Sequence, residues 1–252
     1  MQGYFITDTG QVRSINEDSG GVYYDDHSSL LAIVADGMGG HQAGDVASNL
    51  AVSYVKSAWE NQQPINDVHH VESWLKHTVK KMNAAIFDLS KEQTAYEGMG
   101  TTVVVGVCTE SFITIAHIGD SRAYLLENGR LKQLTSDHSL VNELIQRGQL
   151  TEEEARQHPN KNVLTRAAGT EETVQADIHT FGWTQNDTLL FCSDGLTNKV
   201  SDQELQQVLQ KYEDKEVLLR ELIHLANERG GEDNITATLI ANSPSEAGDD
   251  IC

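Results

Sequence analysis

The chain has 252 residues, 38% of them hydrophobic, and a formal net charge of −20. This length suits one large domain with a sizeable core better than two small ones. So acidic a protein is a poor partner for nucleic acid or an anionic membrane, because both are negatively charged. The charge also serves solubility, and a generally acidic surface would repel phosphorylated proteins as readily as it attracts metal ions.

The N-terminal segment, residues 1–8, lacks the basic region and the sustained apolar core of a signal peptide. No apolar run in the sequence approaches membrane-spanning length. We therefore expect a cytoplasmic protein without membrane insertion. Two of the three cysteines, Cys108 and Cys192, lie in apparent strands, and the third is Cys252, so reduced thiols are favoured over disulfides.

In chain order, the first strong signal is an apolar run of strand length, residues 28–35, that leads into Asp36-Gly37-Met38-Gly39-Gly40-His41. Three glycines within four residues allow a sharp turn and a close approach of the backbone to any ligand of Asp36. Taken alone, the motif is equally compatible with an ordinary glycine turn.

Helices and strands then follow in separate blocks. Apolar residues at three-and-four spacing predict amphipathic helices over 46–59 and 71–89, and two later ones over 205–212 and 218–226. Short β-branched runs predict strands over 101–108, 112–118, 123–126, 131–134 and 235–240, with a hairpin at Asn128-Gly129. This order indicates an α+β layered arrangement instead of an alternating parallel sheet.

Acidic residues recur at the ends of the predicted strands. Asp120 and Asp194 each follow an apolar strand, and Asp233 precedes the last one. Near the N-terminus, Glu17 and Asp18 add two more carboxylates close to Arg13. A convergent acidic cluster needs a cation, because carboxylates repel each other and an unpaired buried one is costly. Oxygen ligands of this kind suit Mg²⁺ or Mn²⁺, whereas the absence of CxxC and HExxH motifs disfavours zinc.

Six motifs occur in an order that resembles the metal-dependent, type 2C serine/threonine protein phosphatases, the PPM family. They are the R-x-x-N-E-D sequence at 13–18, D-G-M-G-G-H at 36–41, Gly100-Thr101-Thr102, Gly119-Asp120-Ser121-Arg122, Ser193-Asp194-Gly195-Leu196 and Asp233-Asn234-Ile235-Thr236. The resemblance spans about residues 3–241 and is greatest to single-domain bacterial members of the PrpC and Stp type, which oppose a membrane-bound serine/threonine kinase. Six motifs in order are specific where any single one is weak.

The resemblance implies a four-layer α-β-β-α sandwich, in which two antiparallel sheets are flanked by helices. It further implies hydrolysis of phosphoserine and phosphothreonine in proteins by a water or hydroxide that bridges two ions of Mn²⁺ or Mg²⁺. Asp36 would bridge the ions, with Asp194 and Asp233 completing the first site. The Gly37 carbonyl and waters held by Glu17 and Asp18 would serve the second, and Asp120 would join Asp194 in a third, weaker site.

Two residues are candidates for contact with the substrate. Arg13 can clamp two phosphate oxygens with its planar guanidinium, although a salt bridge to Glu17 or Asp18 is the structural alternative. Many eukaryotic relatives have histidine where this chain has Met38, which cannot donate a proton. His41 could therefore supply the proton for the leaving group, or it could only orient the loop while water serves as the donor.

The remaining expectations concern organisation and partners. One catalytic domain is predicted over 1–242, followed by a disordered tail over 243–252. A flap over about 136–170, between the Asp120 and Asp194 strands, would select substrates or be an ordinary surface insertion. Expected partners are phosphorylated proteins, among them a membrane kinase, and the chain is expected to be a bacterial, monomeric signalling enzyme.

Two other classes of function remain open at this point. A non-catalytic regulator would keep the fold and bind phosphoproteins, but such proteins normally lose the metal aspartates, and all are present here. A metal-dependent hydrolase of other esters would act on nucleic acid or small phosphate monoesters, and the acidic composition argues against nucleic acid.

Overall fold

The computed structural model describes residues 1–26, 28–39, 43–62 and 67–243. Its strands are β1 (Gln2–Asp8), β2 (Asp18–Tyr24), β3 (Leu30–Met38), β4 (Gly100–Thr101), β5 (Val103–Cys108), β6 (Phe112–Ile118), β7 (Arg122–Glu127), β8 (Arg130–Gln133), β9 (Asp177–Gly182), β10 (Thr188–Cys192) and β11 (Ile235–Ala241). Its α-helices are α1 (Ala43–Glu60), α2 (Val68–Glu92), α3 (Leu140–Gln146), α4 (Glu152–Arg156), α5 (Asp194–Thr197), α6 (Asp202–Lys211) and α7 (Lys215–Glu228).

The strands form two antiparallel sheets. One has the order β1-β11-β10-β7-β8 and is called sheet A; the other, β2-β3-β5-β6-β9 with β4 beside β3, is called sheet B. The turn between β7 and β8 has positive φ at Asn128 (50°) and Gly129 (75°), which is the hairpin geometry that this dipeptide predicts.

Three hydrophobic clusters separate four layers. The first packs α1 and α2 against sheet B, the second packs α6 and α7 against sheet A, and the third lies between the sheets. In the third, Phe191 of β10 packs against Gly106 of β5, where an added Cβ would lie 2.5 Å from the ring carbon Cζ. The predicted α-β-β-α sandwich is confirmed.

Helix boundaries follow local capping chemistry. The side chain of Asp67 accepts a hydrogen bond at the start of α2, and Ser201 and Glu204 form a capping box at the start of α6. The start of the flap contains a further cap, Ser139, which accepts from the Asn142 amide before α3. No helix in the described ranges is both long and apolar enough to cross a bilayer.

Strands β1, β2 and β9 are absent from the sequence-based predictions. They carry little continuous apolar sequence, and β2 contains two adjacent glycines, so their pairing partners rather than their own propensity define them. Cys108 and Cys192 are buried free thiols, as predicted, whereas Cys252 and residues 244–251 of the predicted tail lie outside the described part of the chain.

Candidate metal centre

Asp18 and Asp36 bring two carboxylates together within sheet B. They are direct partners in the antiparallel register of β2 and β3. The backbone of Asp36 is held on both sides, because its amide donates to Thr102 Oγ1 (3.0 Å) and its carbonyl accepts from Thr101 Oγ1 (2.9 Å) and the Thr102 amide (2.8 Å). The two threonines therefore fix the direction from which Asp36 enters the site.

Asp194 and Asp233 approach from sheet A. Asp194 begins α5 directly after β10, and Asp233 lies just before β11, the strand paired with β10. The two turns touch at Gly195, where an added Cβ would lie 2.0 Å from the carbonyl oxygen of Asn234. Glycine is thus required at 195 by close backbone approach, and it allows both acids to reach the same space.

The two sheets are joined beside the acids by neutral polar side chains. Ser193 Oγ donates to Asp18 Oδ2 (2.7 Å) and accepts from the Thr236 amide (3.0 Å). Asn234 Oδ1 accepts from the Glu17 amide (2.8 Å), and its Nδ2 donates to the carbonyls of Thr9 and Ile15. Neither residue has a role predicted from sequence, although both belong to the six motifs given above and adjoin an aspartate.

The acids raise one another's pKa values. Burial raises the pKa of Asp18 to about 7, with Asp194 and Asp233 adding to the effect while hydrogen bonds from Ser193 and Thr236 oppose it. Burial, followed by the negative charges of Asp18, Asp194, Asp120 and Asp233, raises the pKa of Asp36 well above its usual range. Such a cluster favours any cation that can enter it.

Asp194 and Asp120 show the same behaviour. Burial and Asp233 raise the pKa of Asp194, although its carboxyl hydrogen-bonds with that of Asp36 and accepts from Asn198 Nδ2 (2.9 Å). Burial and the charge of Asp194 raise the pKa of Asp120 to about 8. These interactions join Asp18, Asp36, Asp120, Asp194 and Asp233 in one electrostatic unit, which we call the acidic unit.

Arg13 lies at the exposed edge of this unit. Its Nη2 donates to Asp233 Oδ2 (2.9 Å), and its Nη1 lies 3.7 Å from Glu17 Oε2. The alternative of a salt bridge is therefore realised with Glu17, whereas the partner of Asp18 is Ser193. The Arg13 side chain remains 46% exposed, so its guanidinium is accessible to an incoming anion.

Glu17 occupies the border between the acidic unit and α1. Burial raises the pKa of its carboxyl, while the positive charge of Arg13 lowers it. The carbonyl of Glu17 accepts from the Gly37 amide (3.1 Å) and from Ser48 Oγ (2.6 Å). Glu17 thus ties the loop containing Arg13 to the motif around Asp36.

Gly37 has no room for a side chain. An added Cβ would lie 2.0 Å from the carbonyl oxygen of Gly44 in α1 and 2.5 Å from that of Glu17. This close packing explains the glycine after Asp36. Met38 is the last residue of β3, and the candidate acid His41 lies outside the described residues.

A cavity of about 590 Å³ opens beside Asp120 and Asp194. Its other walls come from the predicted flap, including Val141 and Ile145 of α3, and from the segment around Lys199. The flap therefore lies next to the acidic unit, as predicted, and the space between them is large enough for side chains of a peptide.

The family comparison matches residues 9–239 to the model described as "Protein phosphatase 2C". The serine/threonine phosphatase stp of Listeria monocytogenes serotype 4b (strain F2365) is 43% identical over 99% of this chain and 99% of its own length.

Solved structures of phosphatases share the fold. The serine/threonine phosphatase Stp1 from Staphylococcus aureus has a TM-score of 0.91 and 40% identity, with 95% of this chain and 94% of that chain covered. The catalytic domain of the phosphatase PstP, solved in complex with two manganese ions, has a TM-score of 0.82 and 36% identity, with 94% and 96% covered.

Proposed function

Because the chain belongs to the protein phosphatase 2C family and is a serine/threonine phosphatase of that type, we propose that its acidic unit is a two-metal active site. The carrying observation is the convergence of carboxyls from both sheets: Asp18 and Asp36 are partners in β2 and β3, while Asp194 and Asp233 adjoin the paired strands β10 and β11. Their burial and mutual repulsion raise the pKa values of Asp18, Asp36, Asp120 and Asp194. Groups that repel each other at neutral pH become compatible once divalent cations lie between them. The donor set, all oxygen, fits Mg²⁺ or Mn²⁺.

The proposed ligand roles follow the geometry of the two sheets. Asp36 enters from sheet B and shares a hydrogen bond with Asp194 of sheet A, so it suits the bridging position. Asp194 and Asp233 would hold the first ion, and the Gly37 carbonyl together with waters held by Glu17 and Asp18 would hold the second. Manganese is the ion we favour, since the PstP catalytic domain holds two manganese ions. A third ion would be held by Asp120 with Asp194.

Metal ions held by these residues would supply charge neutralisation at the phosphoryl oxygens and would lower the pKa of a bound water toward about 7. Arg13 orients the substrate, because its exposed guanidinium can exchange its contact with Asp233 for the phosphate monoester. Ser193 and Asn234 keep the acids in place by joining the sheets. His41 or water supplies the proton for the departing serine or threonine oxygen, since Met38 has none to donate.

The physiological setting is proposed from the relatives. We infer a cytoplasmic, monomeric enzyme that removes phosphate from proteins, including an autophosphorylated membrane kinase and its targets. The flap would contribute to the choice of substrate through the cavity beside Asp120.

The test compares charge-neutral variants of equal size. Purified wild-type protein should release phosphate from phosphoserine and phosphothreonine peptides with Mn²⁺, while Asp36→Asn and Asp194→Asn should not. Asp88→Asn is the matched control, because Asp88 is an exposed aspartate of α2. Manganese binding measured by calorimetry should weaken in the two site variants alone.

Three outcomes would replace the proposal. Wild-type rates in both site variants would show that the acidic unit is not the active site. Failure of wild-type protein to turn over any phosphopeptide with Mn²⁺ would favour the non-catalytic regulator. Faster turnover of a nucleotide or single-stranded DNA than of phosphopeptides would favour hydrolysis of other esters.

A further inference from the structure

A second buried cluster of titratable groups lies at the base of the flap, on the other side of Gly119 from Thr102. His117 is on β6, His138 stands where the flap begins, and Asp177 is the first residue of β9 after the flap. The two imidazole rings stack with centroids 4.5 Å apart at 24°, and each histidine is only 3% exposed. Neither the metal roles nor the substrate roles above use these residues.

The hydrogen bonds of His138 define its tautomer. The Gly119 amide donates to His138 Nδ1 (3.1 Å), so Nδ1 must present a lone pair. In the neutral ring the hydrogen is therefore on Nε2, which lies 3.3 Å from Asp177 Oδ2 in a contact too bent to be a straight hydrogen bond. Burial, with the positive charge of Arg166 nearby, lowers the pKa of His138 to about 4, which is consistent with a neutral ring.

The same tautomer argues against a metal site here. One ligand atom from each of His117, His138 and Asp177 lies within 4.8 Å of the others, a spacing compatible with a metal ion. A metal at Nε2 of His138 would need the lone pair that the hydrogen replaces, while Nδ1 is engaged by Gly119. His117 Nε2 donates to the carbonyl of Ser136 (3.0 Å), so this nitrogen is engaged as well. Within the cluster, His138 Nδ1 and His117 Nε2 are thus engaged by backbone groups, and His138 Nε2 has only its 3.3 Å contact with Asp177 Oδ2.

His138 holds both backbone polar groups of the residue before Asp120. Its own amide donates to the Gly119 carbonyl (2.9 Å), while its ring accepts from the Gly119 amide. Gly119 has a φ of 104°, and an added Cβ would lie 2.7 Å from Thr102 Cβ. The contacts of Gly119 hold its backbone in this conformation. That backbone in turn sets the direction of the next residue, Asp120.

The other contacts of His138 lead into the flap. Its carbonyl accepts from the Thr165 amide (2.8 Å) on the returning limb, next to the bridge between Ser139 and Leu164. Arg166 Nη1 donates to Asp177 Oδ1 (2.7 Å), so the carboxylate that faces the His138 ring is also held by the flap. The beginning and the end of the flap are therefore joined at His138.

We propose that His138 is a positioning residue, whose Nε2-protonated ring clamps Gly119 so that the Asp120 carboxylate is held toward Asp194 and coupled to the flap. This inference rests on the proposed role of Asp120 as a metal ligand. It adds a residue that touches neither metal nor substrate and that acts through one backbone amide.

The first test uses metal-free wild-type protein. Long-range ¹H–¹⁵N NMR spectra should show Nδ1 of His138 without hydrogen and Nε2 with it, and the Gly119 amide should exchange slowly with solvent. A hydrogen on Nδ1 would overturn the proposal. So would a shift of the His138 nitrogens on titration with Zn²⁺ at micromolar concentration, because that would make the cluster a metal site.

The second test compares His138→Leu, which removes the acceptor, with His138→Asn, which can place an oxygen near the position of Nδ1. His138→Leu should speed Gly119 exchange and raise the Mn²⁺ concentration for half-maximal activity, both by about tenfold, the usual scale for residues that orient metal ligands. His138→Asn should recover most of both effects. His117→Gln is the matched control, because it changes the stacked ring without touching Gly119.

Each remaining outcome decides the question. If His138→Leu folds and leaves Gly119 exchange and Mn²⁺ dependence unchanged, His138 is not a positioning residue. If His138→Leu does not fold, the tautomer of wild-type His138 and the His138→Asn variant still test whether the ring holds Gly119. Asp120→Asn separates the two proposals: if it leaves Mn²⁺ dependence unchanged, the role of Asp120 fails, while Gly119 exchange in metal-free protein still tests His138.

Discussion

Two clusters of buried titratable side chains lie on either side of the Gly119–Asp120 turn, and they treat charge in opposite ways. The acidic unit gathers carboxyls whose burial and mutual repulsion raise their pKa values. In the histidine cluster of His117, His138 and Asp177, the histidine pKa values are lowered. His117 and His138 each bond a backbone group, and Asp177 pairs with Arg166.

The difference separates a site for a ligand from a structural support. Among the described residues, Arg13 is the only cation in direct ion-pair contact with the acidic unit, through Asp233. Arg122 lies close enough to lower the pKa of Asp120, but its own partner is Asp137, with a shortest contact of 2.7 Å. Unbalanced charge of one sign calls for an external ion, whereas the one carboxylate of the histidine cluster, Asp177, is balanced by Arg166.

The largest expected effect comes from Asp36→Asn. Metal-ion catalysis is worth several kcal/mol, so phosphate release should fall by about 10³-fold or more. The metal-free variant should nevertheless be more stable than metal-free wild type at pH 8, by about 1–3 kcal/mol, because one repelling charge is gone. Urea unfolding with EDTA measures this. A destabilised metal-free variant would contradict the idea that the acidic unit is strained without cations.

The next effect is the pH dependence of the metal-free protein. The folded pKa values of Asp18 (about 7) and Asp120 (about 8) lie above the unfolded value of 3.8. Their contribution to stability is thus present below about pH 4 and is lost as pH rises through 7 to 8. We expect the free energy of unfolding to fall by a few kcal/mol over that range, and each kcal/mol to lower the Tm by roughly 2–4 °C. Calorimetric melting scans should show this decrease in Tm in the presence of EDTA and not in the presence of Mn²⁺.

The histidine cluster should respond with the opposite sign. The folded pKa of His138, about 4, lies below the unfolded value of 6.5, so its stabilising contribution is present above pH 6.5 and is lost as pH falls toward 4. The unfolding free energy of wild type, relative to that of His138→Asn, should therefore fall by up to ~3 kcal/mol as the pH is lowered over that range. Because the acidic unit is common to both proteins, its titration cancels. A pH-independent difference would show that His138 titrates normally.

The smallest effect should come from Asp177→Asn. Burial raises the pKa of Asp177, but the hydrogen bond from Arg166 and the contact with the His138 ring outweigh burial, and the pKa is lowered. The pair with Arg166 is about one-third exposed, so the loss of charge should cost below about 1 kcal/mol, and the amide oxygen can still face His138. Thermal melting and Mn²⁺ dependence should both stay near wild type. A large loss would mean that the cluster depends on charge more than on shape.

The sequence predicts the acidic unit better than it predicts the histidine cluster, for a physical reason. Asp36, Asp120 and Asp194 each lie at the end of an apolar strand and next to a glycine. These signals are local, so each residue can be identified from its neighbours in the sequence. The convergence of His117, His138 and Asp177 depends on β6 pairing with β9 and on the path of the flap between them. Nothing near any one of these residues indicates the other two.

The fold shows the same division. The long helices α1 and α2 and the apolar strands β5 and β6 follow directly from periodicity. The sheet-edge strands β1, β2 and β9 do not, because tertiary partners compensate for their weak propensity. The roles of Ser193 and Asn234 depend on contacts between residues more than 170 positions apart, and so they require the folded structure.

The missing side chain at Gly106 has a consequence for the evolution of the enzyme. Phe191 uses that space between the sheets, only three residues before Asp194, while β3 beside β5 leads to Asp36. A larger residue at position 106 would require β10 to move away from β3, or the ring of Phe191 to rotate. Metal affinity should therefore constrain which residues can be exchanged in the core, so that a substitution without polar atoms, far from any ligand, could be rejected by selection for catalysis and not for folding.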